Sequence, residues 1–531
     1  MASELEPTVL TKPKSGRLSI LLAMAMFVLV VDTSIMNVSI SAIVSEIGTT
    51  VSGIQSAIAL EALVSAAFIL IGSKIGDLYG RKRAYVLGLL GYAVGAMAMT
   101  LAQNLVAIII FWAIIGGLGA SLLLPAMQSL IHGNFEGEEQ RKTYALVGAA
   151  TGIAAAVGPL LGGFITTYLS WRVGFLLEAV IIAVVLLNIK LVKDVPYTGP
   201  RDMDIVGAIL SIIGMGGIVL SILVWQEGGE YVGLLMTVGA VAMVIFVRWL
   251  RRRHKEGKPV LLDPRLFSSK YFQMGVTGQL MQNISLGGLM IALPIFFQMV
   301  FEYTAMQTGL ALAPFSLSIF FIALLMGRRA GKQRAGRIIQ VGFAVLFVGI
   351  LLLIPFIPRA ESGLAFALPL TIMGIGLGLL VSQLNNYTLS PISEERVSEA
   401  AGVNSAAGSF GLSFGLAFGG AILLAALTFS FINKSEASTV LIPEQQAKVA
   451  QVLDEDAQIM SDSQLTALLA TQPAAVQDEI LRINSEARTV ALRVALLIPL
   501  FAALLGLLNS FRMVKLPDPE PSNSAEGMLL G

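Results

Sequence analysis

Three acidic residues lie inside long apolar segments, where a charged group is costly. These residues are Asp32, Glu61 and Glu178. An ionised side chain at the centre of a bilayer costs about 2.5–3.5 kcal/mol on insertion scales. A carboxyl group that is buried without a cationic partner accepts a proton readily and can instead receive an organic cation. The three acids are therefore candidate proton- or cation-binding groups. The alternative is a structural role, in which hydrogen bonds to neighbouring helices satisfy them.

The composition indicates an integral membrane protein. The chain has 531 residues, of which 56% are hydrophobic and 13% are charged, with a mean hydropathy of +0.80. Soluble domains are about 45–50% apolar and about 25% charged. A membrane-spanning helix needs about 20 mainly apolar residues. We predict fourteen such helices, over residues 18–40, 54–76, 84–103, 105–131, 143–168, 173–192, 205–225, 231–250, 271–300, 306–327, 338–357, 364–389, 402–432 and 490–511.

The distribution of basic residues predicts the orientation of these helices. With fourteen spans and the N-terminus inside, 28 of the 35 Lys and Arg residues fall on the cytoplasmic side. The positive-inside rule favours this arrangement, so we expect both termini to be cytoplasmic. The loop 434–488 then lies outside with a net charge of −5. A solvated helical cap is the simpler interpretation of this loop, and a lid or a funnel for cations is the alternative.

Several classes of function are excluded by residues that the chain lacks. It has no cysteine and only two histidines, which excludes disulfides and thiolate-bound metals and disfavours any metal or catalytic histidine site. No phosphate-binding G-x-x-x-x-G-K-[ST] motif is present. The formal net charge of +1 gives no reason to expect nucleic-acid binding. We therefore predict no enzyme, cofactor or ATP-driven pump, and a channel, a secondary transporter or a membrane receptor remains.

Two glycine-containing segments predict close packing and a tight turn. Gly158-x-x-x-Gly162 allows a neighbouring helix to approach, while Pro159 removes a backbone donor and bends its helix. The segment 72–83 joins the second and third spans and places an acid beside basic residues at the membrane edge. Its notable residues are Gly72, Gly76, Asp77, Gly80, Arg81 and Lys82.

The segment 72–83 closely resembles the cytoplasmic loop motif of the major facilitator superfamily. In that family the Asp and Arg of the motif form a charge interlock between the two halves of the protein. Three further segments resemble the fourteen-helix drug:proton antiporter branch. They are the first-helix motif Asp32 to Val38, the exporter motif with Gly158-Pro159 and Gly162-Gly163, and the pair Trp171-Arg172.

The chain also departs from the pattern of that branch. The arginine that the branch links to proton transfer in the fourth helix corresponds to Ala113 here. The proline that usually closes the first-helix motif is Ser41, and an aromatic position of the second helix is Glu61. Glu178 replaces the usual Asn after Trp171. The proton pathway of the branch is therefore altered, and Glu61 is a candidate to take over the proton-transfer role.

The resemblance implies an all-α integral membrane protein with the major facilitator fold, in which two six-helix bundles are joined by two inserted helices. We expect a cytoplasmic tail over 1–16, the first bundle over 17–195 and the inserted helices over 204–250. The second bundle follows over 268–512 and includes the outer loop 434–488, and a cytoplasmic tail covers 513–531. The family places helices 1, 2, 4 and 5 on a central cavity and helix 6 at the periphery, which favours Asp32 and Glu61 over Glu178.

Uncharged polar residues are candidates to line that cavity. They are Asn37, Gln279, Gln282, Asn283, Gln383, Asn385 and Asn404. The leading hypothesis is proton-coupled efflux of lipophilic, cationic compounds by a monomer in the plasma (inner) membrane, with the substrate, protons and the lipid bilayer as its partners. Export of a neutral or lipid-like molecule with weak or no proton coupling is the first alternative. A non-transporting receptor or scaffold with the same fold is the second.

Overall fold

The chain folds into long helices. The computed structural model describes residues 15–135, 137–194, 203–226, 229–328, 334–359, 362–392, 394–444, 446 and 462–517, and no strand occurs in these residues. Most of the two expected tails, 1–16 and 513–531, lies outside this range, as do parts of the loops near 195–202 and 329–333.

Eight helices lie in the described residues up to 194. They are α1 (Ser15–Val38), α2 (Ile40–Ile47), α3 (Val51–Tyr79), α4 (Arg81–Met99), α5 (Leu105–Ala107), α6 (Gly117–Asn134), α7 (Gly137–Tyr168) and α8 (Trp171–Leu187). A π-helical stretch, Ile108–Gly116, connects α5 to α6. Gly80, with a φ of 106°, forms the turn between α3 and α4.

Ten helices complete the described part. The hairpin α9 (Ile205–Gln226) and α10 (Val232–Lys255) comes first. It is followed by α11 (Lys270–Met299), α12 (Ala305–Arg328), α13 (Ala335–Phe356), α14 (Ala367–Leu389), α15 (Glu394–Glu436), α16 (Asp462–Leu468), α17 (Ala474–Ala495) and α18 (Leu497–Lys515).

Each of the fourteen predicted apolar segments is helical over most of its length. In the described residues, eleven helical segments are long and apolar enough to cross a membrane. The three predicted spans outside this group lie on α4, α7 and α8, and α8 has only 17 residues. The number of fourteen spans and the cytoplasmic position of both termini therefore remain predictions. We use "inner" and "outer" for the helix ends as the charge distribution assigns them.

The helices pack in two groups with the same internal pattern. In the first group α1 contacts α7 and α8, α6 contacts α3 and α4, and α4 contacts α8. In the second group α11 contacts α15 and α18, α14 contacts α12 and α13, and α13 contacts α18. This correspondence is what an internal duplication of a six-helix unit produces.

In the described residues, two main seams join the groups. Along one seam α7 packs against α12, and along the other α3 packs against α15. The hairpin is bound to the second seam, because α9 contacts both α3 and α15 while α10 packs chiefly on α9. The inserted helices therefore cover one of the two lines along which the groups meet.

The described part of the outer loop is docked on the second group. Its residues 445 and 447–461 lie outside the described range. Arg488 of α17 is 3% exposed and donates hydrogen bonds to the Met299 carbonyl (2.8 Å) and to Asp462 Oδ1 (2.5 Å). Helix α17 also packs along α15. These contacts make α16 and α17 a cap on the outer end of this group.

A buried carboxylate holds the hairpin together at its inner end. Asp204 precedes α9 and accepts hydrogen bonds from the Gly207 N–H (3.0 Å) and from Trp249 Nε1 (3.0 Å). It also lies 3.8 Å from Arg253 Nε and is 1% exposed. Asp204 thus caps α9 and ties it to the end of α10.

We expect Asp204→Ala to destabilise the protein, because it removes the cap of α9 and leaves the Trp249 N–H without its acceptor, while Arg253 keeps the Pro259 carbonyl. Loss of a helix cap costs about 0.5–2 kcal/mol, and an unpaired buried donor costs about 1–3 kcal/mol. The measurement is the midpoint of thermal unfolding in detergent. Asp478→Ala, which removes an exposed acid, is the control. Equal midpoints for the two variants would contradict this role.

Candidate functional site

Asp32 is buried inside the first group of helices. Its side chain is 1% exposed and lies among α1, α4, α8 and the π-helical stretch. The Tyr92 hydroxyl donates a hydrogen bond to Oδ2. Trp112 Nε1 donates to both carboxylate oxygens, at 2.8 and 2.9 Å. Both donors are neutral, and no Lys or Arg side chain in the described residues forms an ion pair with Asp32.

The π-helical stretch carries one of these donors. A π turn contains more residues than an α turn, so it changes which side chains face a neighbouring helix, and such turns are frequent at functional sites. Trp112 lies within Ile108–Gly116 and faces α1. The next residue, Ala113, is fully buried in the apolar core. The position that the family resemblance assigns to an arginine is thus apolar here, and a neutral indole N–H lies beside the acid.

Glu178 of α8 is the second buried acid of this cluster. It is 1% exposed and lies close enough to Asp32 to interact with it electrostatically. Neither of its carboxyl oxygens has a hydrogen-bond partner in the described part of the chain. Two carboxyl groups this close cannot both be ionised without strong repulsion, and a proton on one of them relieves it. The structure therefore brings Glu178 to Asp32, although the family pattern assigns its helix to the periphery.

Glu61 lies nearby but is more accessible. It is half-buried on α3 and close enough to Asp32 to interact with it electrostatically. Gly117 of α6 lies against the backbone of Glu61, and a β-carbon at Gly117 would approach the Glu61 carbonyl oxygen to 2.8 Å. This close approach holds α3 against the helix that follows Trp112. The three acids thus form one cluster, with Glu61 at its accessible edge.

Three charged residues of the inner loop motif, Asp77, Arg81 and Lys82, form ion pairs or hydrogen bonds within the first group. Asp77 pairs with Arg81 at 3.4 Å. The Lys82 ammonium group donates to the Val192 carbonyl at 2.7 Å, and its backbone N–H donates to Asp194 Oδ1 at 3.0 Å. Gly72 and Gly76 lie at close helix contacts, with Ser121 of α6 and Ala84 of α4 respectively, and Gly80 forms the turn. The interlock between halves that the resemblance implies remains a prediction.

The exporter motif contacts both groups of helices. A β-carbon on Gly158 would lie 2.7 Å from the Ser34 side chain, and one on Gly162 would lie 3.0 Å from Ile35 Cα. These two glycines therefore face α1. On the other side of α7, a β-carbon on Gly163 would lie 2.5 Å from the Ala305 carbonyl oxygen, and one on Gly309 would overlap the Pro159 carbonyl. The motif is thus the contact surface of the α7–α12 seam.

Several candidate polar residues of the second group contact other helices of that group. Gln279 and Asn283 lie against Gly408 of α15, and Asn404 Nδ2 donates to Asn385 Oδ1 at 2.7 Å. Gln282 and Gln383 are 4% and 7% exposed. In the first group, Asn37 Nδ2 bonds to the Thr33 carbonyl at 2.8 Å.

Sequence reasoning missed three residues of this region. Tyr92 and Trp112 contact Asp32, and Gln298 bonds to the backbone of Asn37 and Ser41. Tyr and Trp inside a span carry a polar group that needs a partner when buried, which was the available signal. Gln298 lies in an otherwise apolar run and gave a similar signal.

Two groups of helices that share one packing pattern, with acids buried between helices in the first, define a multi-pass membrane transporter rather than an enzyme. A family model of the Major Facilitator Superfamily matches residues 22–202 and 200–416. The chain belongs to this superfamily, as its motifs predicted. Bacterial exporters of this superfamily lie in the inner membrane.

Three transport proteins are similar in sequence to most of this chain. The multidrug resistance protein Stp of Mycobacterium tuberculosis (strain CDC 1551 / Oshkosh) is 27% identical over 82% of this chain and 80% of its own length. The multidrug export protein EmrB of Escherichia coli (strain K12) is 27% identical over 76% of this chain and 80% of its own. A probable actinorhodin transporter of Streptomyces coelicolor (strain ATCC BAA-471 / A3(2) / M145) is 25% identical over 77% of this chain and 72% of its own.

Solved structures share the fold at low sequence identity. A bacterial homologue of the human lysosomal transporter Spinster, crystallised in an inward-facing and unoccupied conformation, has a TM-score of 0.59 at 12% identity. The match covers 97% of this chain and 100% of that one. A structure described as a proton-dependent oligopeptide transporter has a TM-score of 0.57 at 15% identity, over 94% of this chain and all of that one.

We expect Gly309→Ala to disturb the α7–α12 seam, because the added methyl group overlaps backbone atoms that cannot rotate away. Overpacking of this kind costs about 1–3 kcal/mol. The measurements are thermal unfolding in detergent and substrate transport in vesicles, and both values should fall. Gly216→Ala on α9 is the control, because nothing lies within 4 Å of its added methyl group. If the Gly309→Ala protein were as stable and active as the Gly216→Ala protein, close packing of α7 against α12 would not be required.

Proposed function

We propose that this protein exports lipophilic, cationic compounds in exchange for protons, by alternating access to a cavity between the two groups of helices. The observation that carries the proposal is the Asp32–Glu178 pair, which is buried and has only neutral hydrogen-bond donors around it. The names of the relatives, which include multidrug resistance and multidrug export proteins, support export of drug-like molecules.

The pair provides a place for one exchangeable proton. Two carboxyl groups that lie close together in a medium of low dielectric constant hold one proton between them, because two nearby negative charges repel. Tyr92 and Trp112 stabilise the carboxylate of Asp32 by hydrogen bonds. A Lys or Arg would cancel its negative charge, whereas these neutral donors do not. The pair then retains a net charge of −1 when one proton is bound and of −2 when it is released.

Glu61 is the group that meets the substrate. It is half-buried, whereas Asp32 and Glu178 are enclosed. A monovalent cation that binds beside Glu61 raises the positive potential at the pair, and the pair responds by releasing its proton. One positive charge enters the cluster as another leaves it, so the net charge of the cluster is conserved. Return of a proton from the other side displaces the cation and completes the exchange.

Export of a neutral or lipid-like molecule with weak or no proton coupling is the alternative, and Ala113 is the observation that favours it. This fully buried residue occupies the position that the resemblance links to proton transfer. With no cation there, the proton route through the fourth span must differ from that of the family.

The test measures proton movement in proteoliposomes. A pH gradient is imposed, a panel of lipophilic mono- and dications is added, and an internal pH dye reports proton flux. We expect Asp32→Asn and Glu178→Gln to abolish substrate-evoked proton flux, because each removes one half of the proton-binding pair. We expect Glu61→Gln to weaken cation binding about tenfold or more, the equivalent of about 1.4 kcal/mol.

Glu230→Gln is the matched control, because it neutralises an exposed acid outside the cluster. This variant should behave as the wild type. Labelled substrate that moves in the wild type without any proton signal would refute antiport and favour the neutral-substrate alternative. Full proton coupling in Glu178→Gln would refute the shared proton while leaving export intact.

A further inference from the structure

Gln298 connects the two groups of helices at their outer ends. It lies near the end of α11 and is 3% exposed. Its amide oxygen accepts a hydrogen bond from the Ser41 N–H at 2.8 Å, and its amide nitrogen donates to the Asn37 carbonyl at 3.2 Å. Both partners are backbone groups of the first group, so one side chain bonds twice across the interface.

The two backbone groups that Gln298 binds are a helical pair. In an uninterrupted α-helix the N–H of residue 41 bonds to the carbonyl of residue 37. The first helix is interrupted between these residues, because α1 ends at Val38, α2 begins at Ile40, and Ser39 adopts φ −98° and ψ 0°. The Gln298 amide, which presents one acceptor and one donor, therefore spans the interruption and binds both of its sides.

Neighbouring contacts show that the outer ends are joined in this conformation. Every residue of α11 from Ile291 to Met299 is buried. At the α7–α12 seam, the Met306 N–H of α12 donates to Thr167 Oγ1 beyond the exporter motif at 3.0 Å. The Gln298 bonds thus belong to an outer interface that is closed.

We infer that Gln298 is a positioning residue that latches the outer gate and keeps the first helix broken while the gate is closed. When the outer ends separate, the amide withdraws and the Ser41 N–H bonds to the Asn37 carbonyl. The buried backbone groups are satisfied in both states, which removes the penalty for an unpaired group. The outer ends therefore separate at the same time as the first helix becomes continuous.

The latch also acts on the proton-binding pair. Asp32 precedes Asn37 on the same helix by five residues, about 1.4 turns at about 3.6 residues per turn. A change in the course of the helix at the break moves the outer end relative to Asp32 and its partners. This inference rests on the proposed alternating access, but it requires neither a particular substrate nor proton coupling.

The test uses the natural absence of cysteine in the chain. Leu101 and Leu364 are 78% and 84% exposed and lie at the outer ends of the first and second groups. Both are replaced by cysteine and spin-labelled, and the distance distribution between them is measured by electron double resonance in detergent. No substrate or pH gradient is needed, so failure of the latch and failure of the proposed function give different results.

We expect Gln298→Leu to raise the population with the longer, outer-open distance at least fivefold. Gln298→Asn, whose amide is too short to span the interruption, should shift it in the same direction and keeps the test available if the leucine variant does not fold. Gln307→Leu is the control, because this exposed glutamine accepts its hydrogen bond from Thr304 within its own segment. The control should leave the distribution unchanged.

A double substitution separates a latch from a general packing role. Ser41→Pro removes the N–H that closes the break, so the shift produced by Gln298→Leu should be reduced in the Gln298→Leu/Ser41→Pro protein. An equal shift in the single and double variants would refute the coupling between gate and helix. An unchanged distribution in both Gln298 variants would refute the latch itself.

Discussion

The free energy of placing a charge in a medium of low dielectric constant governs the organisation of the first group of helices. Asp32 and Glu178 are both enclosed, and they lie close together instead of pairing with a cation. The donors that bond to Asp32, Tyr92 and Trp112, are neutral. A buried acid with an Arg partner would have a fixed charge, whereas this pair can gain or lose one proton. Because the two acids are buried without a cation, the number of protons that they bind depends on any positive charge placed nearby.

The packing of the α7–α12 seam allows one group of helices to move against the other. Close contacts across this seam are made by glycine and by backbone atoms, as at Gly163 and Gly309. Such surfaces have few interlocking side chains, so one helix can rotate against another with little repacking. The hairpin α9–α10 covers one seam only. The α7–α12 seam, which carries the exporter motif, lacks this cover in the described residues.

Much of this arrangement could be predicted from the sequence. Composition and the run of apolar segments indicated a polytopic helical protein, and the motifs around Asp77 and Pro159 indicated the superfamily, which the family match confirms. The three acids were recognisable because a carboxyl group in an apolar segment is costly wherever its side chain points. Their relative positions were not predictable. Each residue turns a helix by about 100°, so the neighbours of Glu178 depend on how α8 is rotated, and packing alone decides that.

Two details show why local sequence was insufficient. The π-helical stretch changes the face on which Trp112 lies, and no residue in Ile108–Gly116 is a signal for a π turn. Ser41 looked like a departure from a family motif, yet its N–H is used by a glutamine that lies 257 positions away in the chain. Contacts of this kind depend on the closed arrangement of two bundles, which neither segment specifies by itself.

The most direct test of the central claim is infrared difference spectroscopy of the purified protein, recorded before and after a lipophilic cation is added. If Asp32 and Glu178 share a proton that the cation displaces, the wild type should lose a protonated-carboxyl band on binding. That loss should be absent in Glu178→Gln and present in Glu230→Gln. A wild-type spectrum with no change in protonated carboxyl groups at saturating cation would contradict the account.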